Sequence, residues 1–368
     1  MDGRSRQATH AATVTIAVST AGVEWHGKDD MSDEDSTTGQ RALVMGASGN
    51  VGACVVRHLV ERGDDVRVLL RKSSSTKGID GLDVERRYGD IFDTDAVTAA
   101  MADRDVVYYC VVDTRAELRD PAPLFKTNVE GLRGVLDIAL TASLRRFVFL
   151  STIGAIAIGR NGGPVDEGTP YDWAGEGGAY IESRRRAEDL VLSYARDRGL
   201  PGVVLNVSNP YGPPDWQPRQ GALIELAATG KMPFYLRDQG SEVVGIDDAA
   251  EAFLLAAEHG RAGERYIVSE RYMTYREMFT AAADAVGVKP PRFGIPIAAL
   301  HALSRVVGAA SALTGRDFAM SPTSARLVEL TGPVDHGKAT RELGWQPKPT
   351  EDSIRRAAQF YVERRKRT

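Results

Sequence analysis

Residues 41–63 read RALVMGASGNVGACVVRHLVERG. A short apolar run, Ala42 to Met45, passes through Gly46-x-x-Gly49-x-x-Gly52. Beyond it the apolar residues Val51, Val55, Val56 and Leu59 recur at helical spacing. The pattern is strand, tight turn, helix. Glycines in such a turn let the backbone approach a pyrophosphate, and the helix N-terminus supplies N–H groups and a positive dipole end. A glycine triplet alone is a weak signal. Here a second strand, DVRVLLR (65–71), follows the helix, which is the context a dinucleotide site requires. The candidate phosphate contacts are Gly46, Ser48, Gly49, Asn50, Val51 and Gly52.

The second strand closes on Arg71 and Lys72, followed by Ser73, Ser74 and Ser75. An acid at this place would accept hydrogen bonds from a ribose 2′-hydroxyl and repel a 2′-phosphate. A guanidinium with hydroxyl neighbours fits the phosphate instead. NADP(H) is therefore expected over NAD(H), with Arg71 as the selecting residue.

The rest of the chain sets bounds. Its 368 residues are 43% hydrophobic and 26% charged, enough for a large α/β domain with a substrate lobe. A net charge of −4 lacks the basic excess of a nucleic-acid binder. Cys54 and Cys110 stand in apolar segments and read as buried thiols. With no disulfide framework, a reducing, cytoplasmic setting is expected. No metal site is assigned. Residues 1–40 include the acidic, polar run GKDDMSDEDSTTGQ and read as a disordered leader, with Met31 an alternative start.

The glycine spacing is not the usual Gly-x-Gly-x-x-Gly. From Arg41 onward the chain resembles the extended short-chain dehydrogenase/reductases of the NAD-dependent epimerase/dehydratase group. The members it most resembles are dihydroflavonol reductase-like and 3β-hydroxysteroid dehydrogenase-like. The resemblance implies an α/β fold, a doubly wound parallel Rossmann sheet over residues 41–208. A smaller substrate lobe would occupy 209–368, with strands near 243–247 and 264–269 returning to the core sheet. It further implies that Asp90 and Ile91, in VERRYGDIFD, hold the adenine, and that Asn128 is structural. DVVYYCVVD reads as a buried fourth strand whose end, at Val111, runs beside the cofactor.

A fifth strand, RRFVFLST, ends in Ser151 and Thr152. Thr152 falls where similar enzymes place their catalytic hydroxyl, and Ser151 is its neighbour on the cofactor side. Tyr180 then opens a helix, in GGAYIESRRRAED, where similar enzymes carry Tyr-x-x-x-Lys. Here the fourth residue after the tyrosine is Arg184. The chemistry needs a phenol to move a proton, a hydroxyl to orient the substrate oxygen, and a cation to lower the phenol pKa and hold the ribose. One turn separates Tyr180 from Arg184, so both share a helix face. Arg184 can supply the charge and the donors but cannot relay a proton. Arg185 and Arg186 read as a solvated stripe.

A sixth strand leads into NVSNPYGPPDW. In relatives this segment meets the nicotinamide amide, which nominates Ser208 and Asn209, with Tyr211 and Trp216 as pocket walls. Asp247 and Asp248 read as structural helix caps. Three departures narrow the substrate. No arginine stands near Ser241, Asn206 occupies another place where relatives clamp a diphosphate, and Ile153-Gly154 replace the dehydratases' Asp-Glu. A small apolar ketone or secondary alcohol is the expected substrate, converted by hydride transfer. Two rivals stay open: an epimerase using transient hydride transfer, and a non-catalytic NADP(H)-binding redox sensor. The segment 295–315 is apolar with helical spacing but interrupted by Arg305 and His301; it reads as a substrate-lobe helix rather than a membrane span, with peripheral membrane contact as the minor alternative. Regions 125–140 and 180–196 offer a homodimer bundle, as in similar proteins.

Overall fold

Largely apolar runs four to seven residues long make the central layer, buried on both faces except at the exposed edge strand 85–88, as parallel strands covered by helices require. A computed structural model describes residues 39–159, 163–173, 175–219, 221–314, 321–330 and 332–366. The leader and the alternative start at Met31 lie outside the described residues. Order is already present at Gln40, whose backbone N–H donates to Asp64 at 2.9 Å.

In chain order the first half runs β1 (Arg41–Met45), α1 (Asn50–Arg62), β2 (Asp65–Leu70), β3 (Glu85–Tyr88), α2 (Thr94–Met101) and β4 (Val106–Tyr109). Next come α3 (Ala122–Phe125), a π-helical stretch at Lys126–Gly131, α4 (Leu132–Ala139), β5 (Arg146–Thr152), α5 (Gly178–Arg198) and β6 (Gly202–Val207). The second half runs β7 (Asn209–Tyr211), α6 (Gly221–Ala228), β8 (Phe234–Leu236), β9 (Gly240–Gly245), α7 (Ile246–His259) and β10 (Arg265–Val268). It continues with β11 (Arg271–Thr274), α8 (Tyr275–Asp284), β12 (Phe293–Ile295), α9 (Ile297–Thr314), α10 (Pro322–Leu330), α11 (Gly337–Leu343) and α12 (Thr350–Lys366).

Seven strands form one parallel sheet in the order β10-β6-β5-β4-β1-β2-β3. The order reverses between β1 and β4, the switch point outside which ligands bind in such sheets. One face packs on α1 and α7 through Val55, Val56, Leu59, Phe253 and Ala256. The other packs on α2, α4 and α5 through Val97, Leu136, Ala187 and Val191. This is the expected doubly wound architecture.

The lobe differs in one respect from the expectation. Of the two strands expected to return to the core sheet, only β10 does so. The strand near 243–247 is β9, which pairs with β7 and β11 in a separate three-stranded sheet. Its backbone is occupied by those neighbours, over a third apolar core built from α6, α8 and α12. From Gly39 on, the chain forms one compact unit.

Asp247 and Asp248 are structural but do not cap α7. The N-cap is Gly245, with no side-chain cap bond. Asp247 instead meets Arg356 at 2.9 Å, His58 at 3.6 Å and the Cys54 thiol at 3.4 Å, tying α7 to α1 and α12. Asp248 accepts from the Lys348 backbone at 3.2 Å. The expected pairing of buried cysteine with reduced thiol holds for both Cys54 and Cys110, which are free and buried.

Candidate active site

The glycine turn folds under steric compulsion. Gly46 has φ of +93°, and a side chain there would meet the Cys110 carbonyl at 2.6 Å. A side chain at Gly52 would fall 2.4 Å from the Gly46 carbonyl oxygen. That oxygen accepts the Gly49 N–H at 3.0 Å, which closes the turn. Gly49 is the N-cap of α1, with no side-chain cap and no acid in the first turn. The helix therefore presents bare N–H donors and its positive dipole end. Ser48, Gly49, Asn50, Val51 and Gly52 line a cavity of about 560 Å³.

The same cavity brings together Ser151, Thr152, Tyr180, Arg184, Ser208 and Asn209. Among the described residues the Thr152 hydroxyl accepts only a long bond, from the Gly154 N–H at 3.3 Å. Arg184 is 1% exposed. One terminal nitrogen, Nη2, donates to the Leu150 carbonyl, and the guanidinium lies 5.1 Å from the Phe149 ring centre. Its Nε and Nη1 have no hydrogen-bond partner among the described residues. Burial pushes the Arg184 pKa down, opposed by the hydroxyl groups of Tyr180 and Tyr109 and by Glu188.

For Tyr180 the expected direction is reversed. Burial raises its pKa and outweighs the nearby charges of Arg184 and Arg219, which pull it down. The cation is in place, but here desolvation wins.

Not every expected contact lines this cavity. Arg71, Asp90, Ile91 and Val111 lie outside the cavity lining. Arg71 is exposed just past β2 and makes no ion pair among the described residues. Asp90 accepts from the Phe92 backbone at 3.2 Å, and Ile91 packs against Gly131. Val111 packs into the core on the α4–α5 side, while its neighbour Val112 lines the cavity, as strand alternation dictates. Asn209 spends its amide on Ser241 at 2.5 Å and on the Glu242 carbonyl at 3.1 Å. Ser208 keeps a buried hydroxyl without a partner among the described residues. Tyr211 is 5% exposed inside the third core and is no cavity wall. Trp216 lines the cavity, as expected, and also packs edge-on against Phe360 at 5.1 Å. Arg185 is not a solvated residue. It donates to the Ala155 carbonyl at 2.9 Å and pairs with Asp189 at 3.0 Å. Arg186 is exposed, as expected, and pairs with Glu182. Asn128 is structural: it bridges the Asp113 backbone and the Ser183 hydroxyl.

The largest omission of the sequence reading is Glu188. It is fully buried on α5, two turns past Tyr180 and one past Arg184. It accepts from the Ser151 hydroxyl at 2.5 Å and from the Asn206 amide at 2.6 Å. Arg265 on β10 faces it at 3.0 Å. Asn206 also donates to the Thr152 carbonyl at 3.0 Å, so the network grips both hydroxyl residues at the end of β5. Burial raises the Glu188 pKa, and Arg265, Ser151 and Asn206 oppose the rise. Spacing of four, 180-184-188, was the available signal. Trp173, Arg219 and, from α10, Leu327 and Leu330 complete the cavity wall and were also missed.

The donor set fits a nicotinamide dinucleotide. Asn50 Oδ1, Ser208 Oγ and two Arg184 nitrogens are buried and partnerless among the described residues, and all belong to residues lining one cavity beside an uncapped helix start. Native interiors rarely leave such groups unpaired unless a ligand meets them.

Comparison with known proteins agrees. The family model "NAD dependent epimerase/dehydratase family" matches residues 42–269. Sterol demethylase protein B of Methylococcus capsulatus is 30% identical over 331 residues, covering 88% of this chain and 98% of that protein. A putative dihydroflavonol 4-reductase of Synechocystis is 27% identical, covering 87% and 94%. Among solved structures, gox2253 superposes with a TM-score of 0.78 at 32% identity, covering 88% and 98%.

Proposed function

This chain belongs to the NAD-dependent epimerase/dehydratase family and is an NAD(P)-dependent oxidoreductase; we propose that it interconverts an apolar ketone and its secondary alcohol with NADP(H). The carrying observation is Arg184, buried with two uncommitted donors in a wall shared with Tyr180 and Thr152.

The coenzyme, when bound, supplies or accepts the hydride. Residues 41–208, completed by α7 and β10, hold it, and the rest of the chain from 209 on forms the substrate lobe. The bare start of α1 and the 46–52 turn take the pyrophosphate. Arg71 takes the 2′-phosphate, Asp90 and Ile91 flank the adenine, and Ser208 meets the carboxamide. Tyr180 gives a proton to the carbonyl oxygen in reduction and removes it in oxidation. The Thr152 hydroxyl orients that oxygen. Arg184 donates its free N–H groups to ribose hydroxyls and favours the phenolate by its charge. It stays protonated throughout, so its part is to hold and to polarise. The apolar walls, Trp173, Ile181, Leu327, Leu330 and Val334, support an apolar substrate. So do the names of the relatives, which point to a sterol and a dihydroflavonol.

The test is NADPH oxidation across sterol, flavonoid and terpenoid ketones. Turnover with at least one class is expected. Tight NADPH binding with no oxidation of any ketone would overturn the proposal in favour of a redox sensor.

A further inference from the structure

Helix α9 is apolar on its outward face as well as its inward one. Its inward positions include Ser304, 1% exposed, and His301, which meets Glu329 of α10 at 3.1 Å. Its outward positions include Ala302, Leu303, Val306, Ala309 and Leu313, with Val306 67% and Leu313 89% exposed. Apart from Arg305 and the terminal Thr314, every exposed described residue on α9 is Ala, Leu or Val. The helix has 18 residues, so this apolar stripe runs for about 27 Å. Stripes of that size on a protein surface mark something that covers them.

The charges indicate what. Lys289, Arg292 and Arg305 are exposed and make no ion pair among the described residues, and Phe293, 72% exposed, stands between the first two and the helix. The helix itself carries no acid. A second copy packed on this face by a twofold axis would bring cation against cation with no carboxylate on α9 to pair them. An anionic lipid surface complements both the apolar stripe and its cationic edge. Among the described residues no helix is long and apolar enough to cross a membrane, so α9 would lie in the interface plane. Helix α10 lies on the inner side of α9, where Gly308 abuts Pro322, and it contributes Leu327 and Leu330 to the cavity. Lipid face and cavity thus stand one helix apart.

We propose that α9 docks the protein on an anionic membrane surface, with Val306 and Leu313 inserted among the acyl chains and Arg305 at the headgroups. The test is flotation of the full chain with phosphatidylglycerol vesicles and with phosphatidylcholine vesicles, with sedimentation velocity and circular-dichroism melting of each variant. Wild type should float with the anionic vesicles. Val306→Glu with Leu313→Glu should lower the bound fraction at least tenfold, and Arg305→Glu roughly fivefold or more, with melting unchanged. Should the double variant melt early, the Arg305→Glu arm decides. Equal flotation with both lipids overturns the anionic assignment. No flotation, or a dimer that the double substitution dissociates, overturns the membrane in favour of bare solvent or a second copy. Turnover plays no part in these readings, so their failure leaves the proposed reduction untouched.

Discussion

Glu188 accepts the Ser151 hydroxyl at 2.5 Å, from a side chain with no exposed surface, and faces Arg265 at 3.0 Å. A buried carboxylate at this place links α5, which carries Tyr180 and Arg184, to β5, β6 and β10. The first prediction concerns its removal. Glu188→Gln puts an amide donor where the Ser151 hydroxyl and the Asn206 amide both donate, and a buried donor left unsatisfied costs about 1–3 kcal/mol. Urea unfolding should show this as a lower midpoint with unchanged slope. The pH sign is also fixed. Burial raises the folded pKa of Glu188 above its unfolded value near 4.3. Its protonation therefore stabilises the fold most below that value, and the contribution is lost as pH rises through the folded pKa. The gap between wild type and Glu188→Gln should change with pH in the range above about 4.3. A gap constant from pH 4 to 8 would contradict the assignment.

How far the sequence alone reaches is visible in this same helix. The strand-turn-helix at 41–63 was legible because its glycines answer to local sterics, and its apolar period is local too. Tyr180 and Thr152 were nominated by resemblance, and both line one cavity, from a helix start and a strand end. Glu188 was not, because an acid in the run SRRRAEDL reads as solvated until β10 delivers Arg265 from 77 positions on. Arg185 failed for the mirror-image reason, since the Ala155 carbonyl that takes it belongs to a loop 30 residues away. Strand β9 was assigned to the wrong sheet because alternation gives a strand's faces and not its neighbours.

Tyr180→Phe should reduce kcat by 100- to 10,000-fold, roughly the worth of a positioned acid or base. Coenzyme binding, followed by fluorescence titration, should stay within about threefold. A variant that loses turnover only by losing the coenzyme would remove Tyr180 from the chemistry.

Arg184 opposes the burial that raises the Tyr180 pKa. Taking its charge away, in Arg184→Met, removes that opposition, so the phenol pKa must rise further. In the alcohol-oxidation direction the phenolate is the active form. The pH profile of kcat/KM should therefore shift to higher pH, with kcat lower by about 100-fold. Arg184→Lys keeps the charge and should hold the wild-type limb, with kcat within about tenfold. Superimposable profiles for the methionine variant and wild type would mean that the guanidinium serves packing against Phe149 alone.

Arg71 is exposed and makes no ion pair among the described residues, which suits the proposed 2′-phosphate contact. Arg71→Ala should weaken NADPH by roughly 10- to 100-fold, the worth of a charge-assisted hydrogen bond, and leave NADH unchanged. Equal loss of both coenzymes would place Arg71 in folding rather than in selection.

Asp247 is held down to about 2, first by the His58 imidazole 3.6 Å away and then by the charge of Arg356, against the opposing effect of burial. An unfolded aspartate titrates near 3.9. The depressed value means that its stabilisation is complete above the unfolded pKa and is lost as pH falls from about 4 toward 2. The side chain is 37% exposed, so solvent screening cuts its worth to about 1 kcal/mol. Asp247→Asn should cost that much at pH 7 in urea unfolding. The deficit should shrink as pH falls from 4 to 2 and vanish below pH 2, where the wild-type carboxyl is protonated as well. The Arg356→Met variant should give a similar, smaller loss at neutral pH, since the His58 contact remains. A deficit of Asp247→Asn that persists unchanged at pH 2 would show that the link from α7 to α12 acts by shape and not by charge.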